Sequence, residues 1–304
     1  MDDELRALAE AQGGVLSRAQ LRRAGIPASR LGTAAAPREL VRLRSGVYVE
    51  AAVLAAADEA RRVGLRVAAE RLGSGIDLVA VGPTAALAHA LPVLGRPRRL
   101  HLAERKELRP KHHGASRTMV DDDVVDVDAV PVTSLARTAV DVARRGFAAG
   151  VVTADAVLRR GVPRELLTAA LDRSRRWPGR LTALGVVGFA DGRAESALES
   201  LGRVRCHEHQ LPPPDLQVWI GDEEGPFARV DQCWKDRWTV AEADGALKYV
   251  DTAALFEEKQ REDRLREAGF EVVRYTWDEA LRRPAVVVHR ILRAFARAET
   301  RHAA

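Results

Sequence analysis

The 304-residue chain contains only two cysteines, Cys206 and Cys233. Two cysteines build no disulfide framework, and these stand in no zinc-binding spacing, so the usage fits a reducing cytoplasm. Long apolar runs are missing as well: although 46% of the residues are hydrophobic, none of the runs approaches the roughly 18 residues that span a bilayer. A soluble protein of two or three domains with no membrane contact is expected. No signal peptide is expected either, because MDDELRALAE reads as an acidic amphipathic helix rather than a basic segment followed by an apolar one. Paired histidine ligands are lacking: His89, His101, His112 and His113 follow no metal-binding spacing and read as core or surface residues. The cluster Cys206-His207-Glu208-His209 reads as the exposed end of a helix. Residues 121–128 alternate aspartate with valine only late in the run, which suits an edge strand with one solvated face better than a calcium site.

Arginine is plentiful and unevenly placed. The net charge of +5 and a pI near 9.6 suggest an acidic partner. Between Arg18 and Arg44 seven arginines meet a single acid, Glu39, whereas residues 191–267 carry 18 acids against 11 Lys or Arg. The positive field therefore belongs to the N-terminal end, where it can meet a phosphate backbone. There ELRALAEAQGG reads as a helix ending at Gly13 and Gly14. SRAQLRRAG comes next as a second, with Ser17 as N-cap and Gly25 as C-cap, and ASRLGTAAA after Ile26-Pro27 as a short third. RELVRLRSGVYVE then alternates as a two-stranded ribbon turning at Ser45-Gly46. Three helices and a wing over residues 1–50 make a winged helix. In that geometry Ser29, Arg30 and Thr33 face the major groove of double-stranded DNA, Arg42 and Arg44 reach phosphates from the wing, and Arg18, Arg22 and Arg23 extend the basic surface. The duller alternative is a small helical domain that docks a protein.

This segment resembles the N-terminal winged helix of AbiEi-type antitoxins through Gly14-Val15-Leu16-Ser17, Leu21-Arg22-Arg23-Ala24-Gly25-Ile26 and Leu43-Arg44-Ser45-Gly46-Val47-Tyr48. The resemblance implies a module that binds promoter DNA and represses its own operon, while another domain counters a nucleotidyltransferase toxin.

Residues 51–190 carry little chemistry and are expected to form an α+β connector. Helical patterns fall at AAVLAAADEARRVGLRVAAERLG, PTAALAHAL and SLARTAVDVARRG, and strands at RRLHLAE and DDVVDVDAVPV. Arg137 and Asp141, four apart on one helix face, read as a structural ion pair.

Acidic groups gather in residues 191–304. RAESALESLGRVR has helical spacing and places Glu195 and Glu199 one turn apart. FARVDQCW and TVAEAD form a strand pair carrying Asp231 on one strand and Glu242 with Asp244 on the next. Side chains on a strand repeat every two residues, so Glu242 and Asp244 share a face. If Asp231 lies opposite, three carboxylates converge, and like charges that close call for a cation. Oxygen ligands without nearby Cys or His favour Mg2+ or Mn2+. Gln217 on the preceding strand could hold a water or a phosphate beside Asp231, or merely face solvent. Lys259, Arg261 and Arg264 could touch phosphates or pair with Glu257, Glu258 and Glu262. A helix capped by Asp251 or Thr252, a strand over FEVVRYTW and a final helix complete an α/β unit.

From residue 191 onward the chain resembles the PD-(D/E)XK nuclease superfamily, in the branch similar to very-short-patch-repair endonucleases. The matching residues are Ser196 with Glu199, Val230 with Asp231, and Glu242, Asp244 and Gly245. The resemblance implies Asp231, Glu242 and Glu199 as metal ligands. It also implies hydrolysis of a phosphodiester by a metal-activated water. The superfamily lysine is replaced by Asp244, and Lys248 is the nearest residue able to supply its charge. The expected fold class is α+β multidomain: an N-terminal winged helix-turn-helix (1–50), an α+β connector (51–190) and a C-terminal restriction-endonuclease-like α/β domain (191–304). The expected function is DNA binding with Mg2+-dependent endonuclease activity. The rival is a non-enzymatic antitoxin or autorepressor whose partners are its operator and a cognate nucleotidyltransferase toxin.

Overall fold

A computed structural model describes residues 3–33, 39–105, 121–174, 177–223, 225–245 and 252–303. The chain divides into two compact units, Met1–Val157 with Gly161–Phe189, and Leu158–Arg160 with Ala190–Ala304. Both are mixed α/β, built on small sheets, and no helix among the described residues is long and apolar enough to cross a membrane.

In the first unit α1 (Asp3–Ala11), β1 (Val15–Ser17) and α2 (Arg18–Arg23) lead through a 3-10 turn (Ala28–Arg30) to β2 (Leu31–Gly32), β3 (Leu40–Arg44) and β4 (Val47–Glu50). Ser17 caps α2 as expected, in a capping box: its hydroxyl accepts from the Gln20 amide while the Gln20 side chain accepts from the Ser17 amide. The expected third helix is only the 3-10 turn, because Leu31 and Gly32 leave it to pair in parallel with Leu40 and Val41. The remainder of that expected helix, residues 34–38, lies outside the described residues. Strand order is β1-β4-β3-β2, with β1, β4 and β3 antiparallel.

Alternation along these strands feeds two cores. Leu16, Leu40 and Tyr48 join Leu5, Ala9 and Leu21 of α1 and α2, while Val15, Val41, Val47 and Val49 turn to the opposite face. That second face is buried against α3 (Ala51–Ala56) and α4 (Glu59–Ser74) and against a second sheet. The second sheet comprises β5 (Leu78–Ala80), β6 (Leu102–Glu104), β7 (Val124–Val127) and β8 (Val130–Thr133) in the order β6-β5-β8-β7, with α5 (Gly82–Ala88) directly after β5. Residues 1–50 thus share a core with α4 and this second sheet, and no division between compact units falls at residue 50. Gly13 marks the seam: at its φ of 80° a Cβ would lie 2.8 Å from Val130 Cγ2 and 2.9 Å from the Ala68 methyl. Helices α6 (Leu135–Ala143), α7 (Phe147–Arg159), α8 (Arg164–Arg173) and α9 (Arg180–Phe189) come after β8 in sequence.

The second unit runs α10 (Ala197–Glu208), β9 (Asp215–Asp222), β10 (Gly225–Trp234), β11 (Thr239–Ala243), α11 (Thr252–Glu267), β12 (Glu271–Tyr275), α12 (Trp277–Arg282) and α13 (Pro284–His302). The strand expected to reach Trp277 stops at Tyr275, since Thr276 and Glu279 form a capping box that starts α12. Sheet order is β12-β11-β10-β9; β9, β10 and β11 are antiparallel, and α11 crosses over to bring β12 parallel to β11. One face buries Ile220, Val230, Val240, Leu265 and Phe270. On the other, Trp234 meets Phe295 of α13 edge-on at 5.4 Å. Gly202 lets α10 approach β12, where a Cβ would lie 2.2 Å from Tyr275 Oη. Cys206, expected at an exposed helix end, is buried.

Candidate functional site

The acidic residues of the second unit take their places from two local devices. Ser196 caps α10 by accepting from the Glu199 amide at 3.1 Å, and the Glu199 side chain folds back to accept from the Glu195 amide at 2.8 Å. Gln217 sits in β9 with a left-handed φ of 54°, between the pairs Leu216↔Gln232 and Val218↔Val230, and so faces Asp231. Its side-chain amide donates to Glu199 Oε2 at 2.8 Å and to Asp231 Oδ1 at 3.4 Å. Arg229 Nε completes Gln217 by donating to its Oε1 at 2.7 Å, and Arg229 is ion-paired with Glu195. Asp231 Oδ2 accepts from the Ala243 amide at 2.9 Å. Glu199 and Asp231 are thereby brought together with a neutral amide between them. Burial pushes the Glu199 carboxyl above the usual carboxylate range, and the Asp231 charge pushes it further the same way.

Glu242 has a different partner. Arg261 of α11 donates to both of its oxygens, at 2.7 and 2.8 Å, and Arg274 stands 3.7 Å away on β12. Burial raises the Glu242 pKa and the Arg261 charge opposes that rise. Glu258 binds Arg261 from the same helix at 2.7 Å. Arg264 pairs instead with Asp222 at 2.7 Å. The backbone amide of Asp244 donates to the Tyr275 carbonyl at 2.9 Å, and Lys248 lies outside the described residues. Of the expected acidic set, Glu199 and Asp231 are joined through Gln217, and Glu242 is paired with Arg261. Among the described residues no three His, Cys, Asp or Glu side chains are grouped to hold a metal. In this arrangement N–H donors already bind Glu199 Oε2, both Asp231 oxygens and both Glu242 oxygens, atoms that a Mg2+ or Mn2+ ion would otherwise use.

Around the N-terminal basic stretch the structure sorts the arginines. Arg18, Arg22, Arg23 and Arg42 are exposed, with no side-chain partner among the described residues. The Arg18 amide donates to the Gly46 carbonyl at 2.8 Å, tying the start of α2 to the β3–β4 turn. Ser29 is exposed and Thr33 half-buried. Two expected DNA contacts are already engaged: Arg30, expected in the major groove, is ion-paired with Glu39, and Arg44, expected on phosphate, holds Glu70 Oε2 at 2.6 Å. Arg44 also lies against Gly73, where a Cβ would meet its Nε at 2.8 Å. It fastens β3 to α4.

Sequence spacing had no access to Arg274, which approaches Glu242 across a parallel strand pair. Nor did it reveal Asp123, whose carboxylate meets Arg137 and Arg173 from distant helices.

Among curated proteins, the chain is similar to two uncharacterized proteins of Mycobacterium tuberculosis, one from each of two strains. Each is 37% identical over 170 residues, which make up 55% of this chain and 62% of the relative. The chain therefore spans less than two thirds of the length of these relatives. No family model matches the chain, and no solved structure matches it.

Proposed function

We propose that the chain is a double-stranded-DNA-binding protein, held on phosphate by its N-terminal basic module, with a second unit of nuclease-like element order acting as a scaffold. The observation that carries this reading is the exposed set Arg18, Arg22, Arg23 and Arg42, with α2 bonded to the β3–β4 turn. Helix, strand, helix and then an antiparallel ribbon in the order β1-β4-β3 support a winged-helix reading, with Ser45 and Gly46 at the wing tip. In the second unit, the Arg261 clamp on Glu242 supports a non-enzymatic role, as in an antitoxin or autorepressor that binds its own operator. A nucleotidyltransferase toxin is the protein partner of that reading. Fluorescence anisotropy with a duplex at several salt concentrations tests it. Replacing Arg18, Arg22 and Arg23 by Ala is expected to weaken binding and flatten the dependence of log K on log salt by about 1 per arginine removed. Unchanged affinity and slope would remove the basis for this assignment.

A second reading, metal-dependent phosphodiester hydrolysis, is favoured by the pairing of Glu199 with Asp231, a like-charge pair of the kind that a cation relieves. Nicking of supercoiled DNA by wild type with Mg2+ or Mn2+, abolished in Asp231→Asn and Glu242→Gln, would support it over the scaffold. Equal nicking by the variants would exclude these carboxylates.

A further inference from the structure

The first unit holds an open cavity of about 460 Å³ that neither reading uses. Arg137, Asp141, Arg144 and Arg145 of α6 and the segment after it form one wall, Trp177 another, and His101 stands across from them. The Arg137 side chain is 1% exposed and donates to Asp141 Oδ2 at 3.1 Å and Asp123 Oδ2 at 3.3 Å. Arg173 Nε binds Asp123 from behind at 3.2 Å. Arg144 reaches Asp141 Oδ1 at 3.4 Å and donates through Nε to the Pro178 carbonyl at 2.9 Å. The guanidinium carbons of Arg137 and Arg144 lie 4.3 and 4.4 Å from the centre of the Trp177 ring. Gly179 seals that wall against α6: at its φ of 78°, a Cβ would come within 2.0 Å of the Arg144 carbonyl oxygen.

A structural ion-pair network normally balances its charges and closes around them. This one opens onto the cavity: Arg137, Arg144 and Arg173 pair with Asp123 and Asp141, and exposed Arg145, on the same lining, has no side-chain partner among the described residues. Burial raises the Asp141 carboxyl despite Arg137 and Arg144, so its negative charge is the costlier one to keep. Burial, then the Arg145 charge, lowers the His101 pKa, leaving a neutral imidazole able to donate or accept a hydrogen bond. The volume lies within the roughly 300–1,000 Å³ of small-molecule sites. It exceeds what a lone inorganic ion would fill. Guanidinium forks match phosphate oxygens.

We propose that this cavity binds a phosphorylated small molecule of mononucleotide size, its phosphate held by Arg145 and Arg144 and its remainder lying towards His101. The phosphate could come from a free nucleotide or from a nucleic-acid end, and the proposal commits to the former. Calorimetry of the full chain with GMP, ATP, inorganic pyrophosphate and a 5′-phosphorylated duplex separates the two. Saturable binding of a mononucleotide with a Kd at or below about 1 mM is expected, weakened at least about tenfold in Arg145→Glu. Arg145→Lys should retain most of the affinity, and Arg18→Glu with Arg22→Glu should leave it unchanged. Failure of wild type to bind either nucleotide, or equal nucleotide binding by Arg145→Glu, would overturn the proposal. So would Arg145-dependent binding confined to pyrophosphate or to the duplex. Loss of duplex binding in the Arg18 and Arg22 variant bears only on the DNA-binding reading, so the two can fail independently.

Discussion

The two units bury charge in different ways. In the first, Arg137 and Asp123 are enclosed together, and Asp141, Arg144 and Arg173 close around the pair beside an open cavity lined by Arg145. In the second, carboxylates are enclosed, and each is closed off by a donor: Gln217 for Glu199 and Asp231, Arg261 for Glu242. The contrast teaches that a buried charge marks a binding site only where its neighbours leave net charge and space. Where hydrogen bonds use up the lone pairs, the same residue types become structural.

The sharpest way to break this comparison is to remove the enclosed cation. Arg137→Ala strands Asp123 and Asp141 without it, and a loss of about 3–5 kcal/mol is expected in urea unfolding, the usual cost of unpairing a buried ion. Removing the clamp in the second unit should cost less, because Arg261 is a quarter exposed. Arg261→Ala is expected to destabilise by about 2 kcal/mol, through the charged hydrogen bonds lost from Glu242. The amide-bridged pair predicts the reverse sign. A carboxyl whose pKa is raised by folding favours the fold below its unfolded pKa and loses that contribution as pH rises through the folded value. Glu199 is such a group. Glu199→Gln should therefore raise the melting temperature at pH 7, with the gain shrinking as pH falls towards about 4.3, the unfolded pKa. A variant that is less stable at pH 7 would show that the carboxylate is needed charged. The smallest effect is expected at Arg44→Ala: about 0.5–1 kcal/mol of stability, since its Glu70 pair is partly solvated, with duplex affinity unchanged. A large loss of DNA affinity there would return Arg44 to the phosphate-binding set.

Local rules carried well where a few neighbouring residues decide the outcome. Ser17 announces the start of α2 because its hydroxyl caps the amide three residues on, whereas the helix expected from Arg193 begins only at Ala197, with Ser196 as its N-cap. The element order of the second unit, helix, strands, helix, strand, helix, was legible from periodicity, and so was the Arg137–Asp141 pair, four apart on one helix. The third N-terminal helix failed because the partner of Leu31 and Gly32 is β3, whose claim on them is not encoded locally. That no division between compact units falls at residue 50 has a related reason. Val15, Val41 and Val49 look like the free face of a small ribbon until α4 and β8 cover them.

By itself, the sequence determined which side chains each element would carry and on which face, because covalent geometry repeats every 2 residues in strands and every 3.6 in helices. It also determined that the N-terminal stretch would be strongly basic and the C-terminal one acidic. Only the tertiary structure decided which charges meet. Gln217 rather than an acid stands between Glu199 and Asp231, Arg261 closes on Glu242 across 19 residues, and Asp123 reaches Arg173 across 50. Such pairings depend on distances between elements, which no local period contains. The burial that raises Glu199 and Asp141 exists only once those elements have packed.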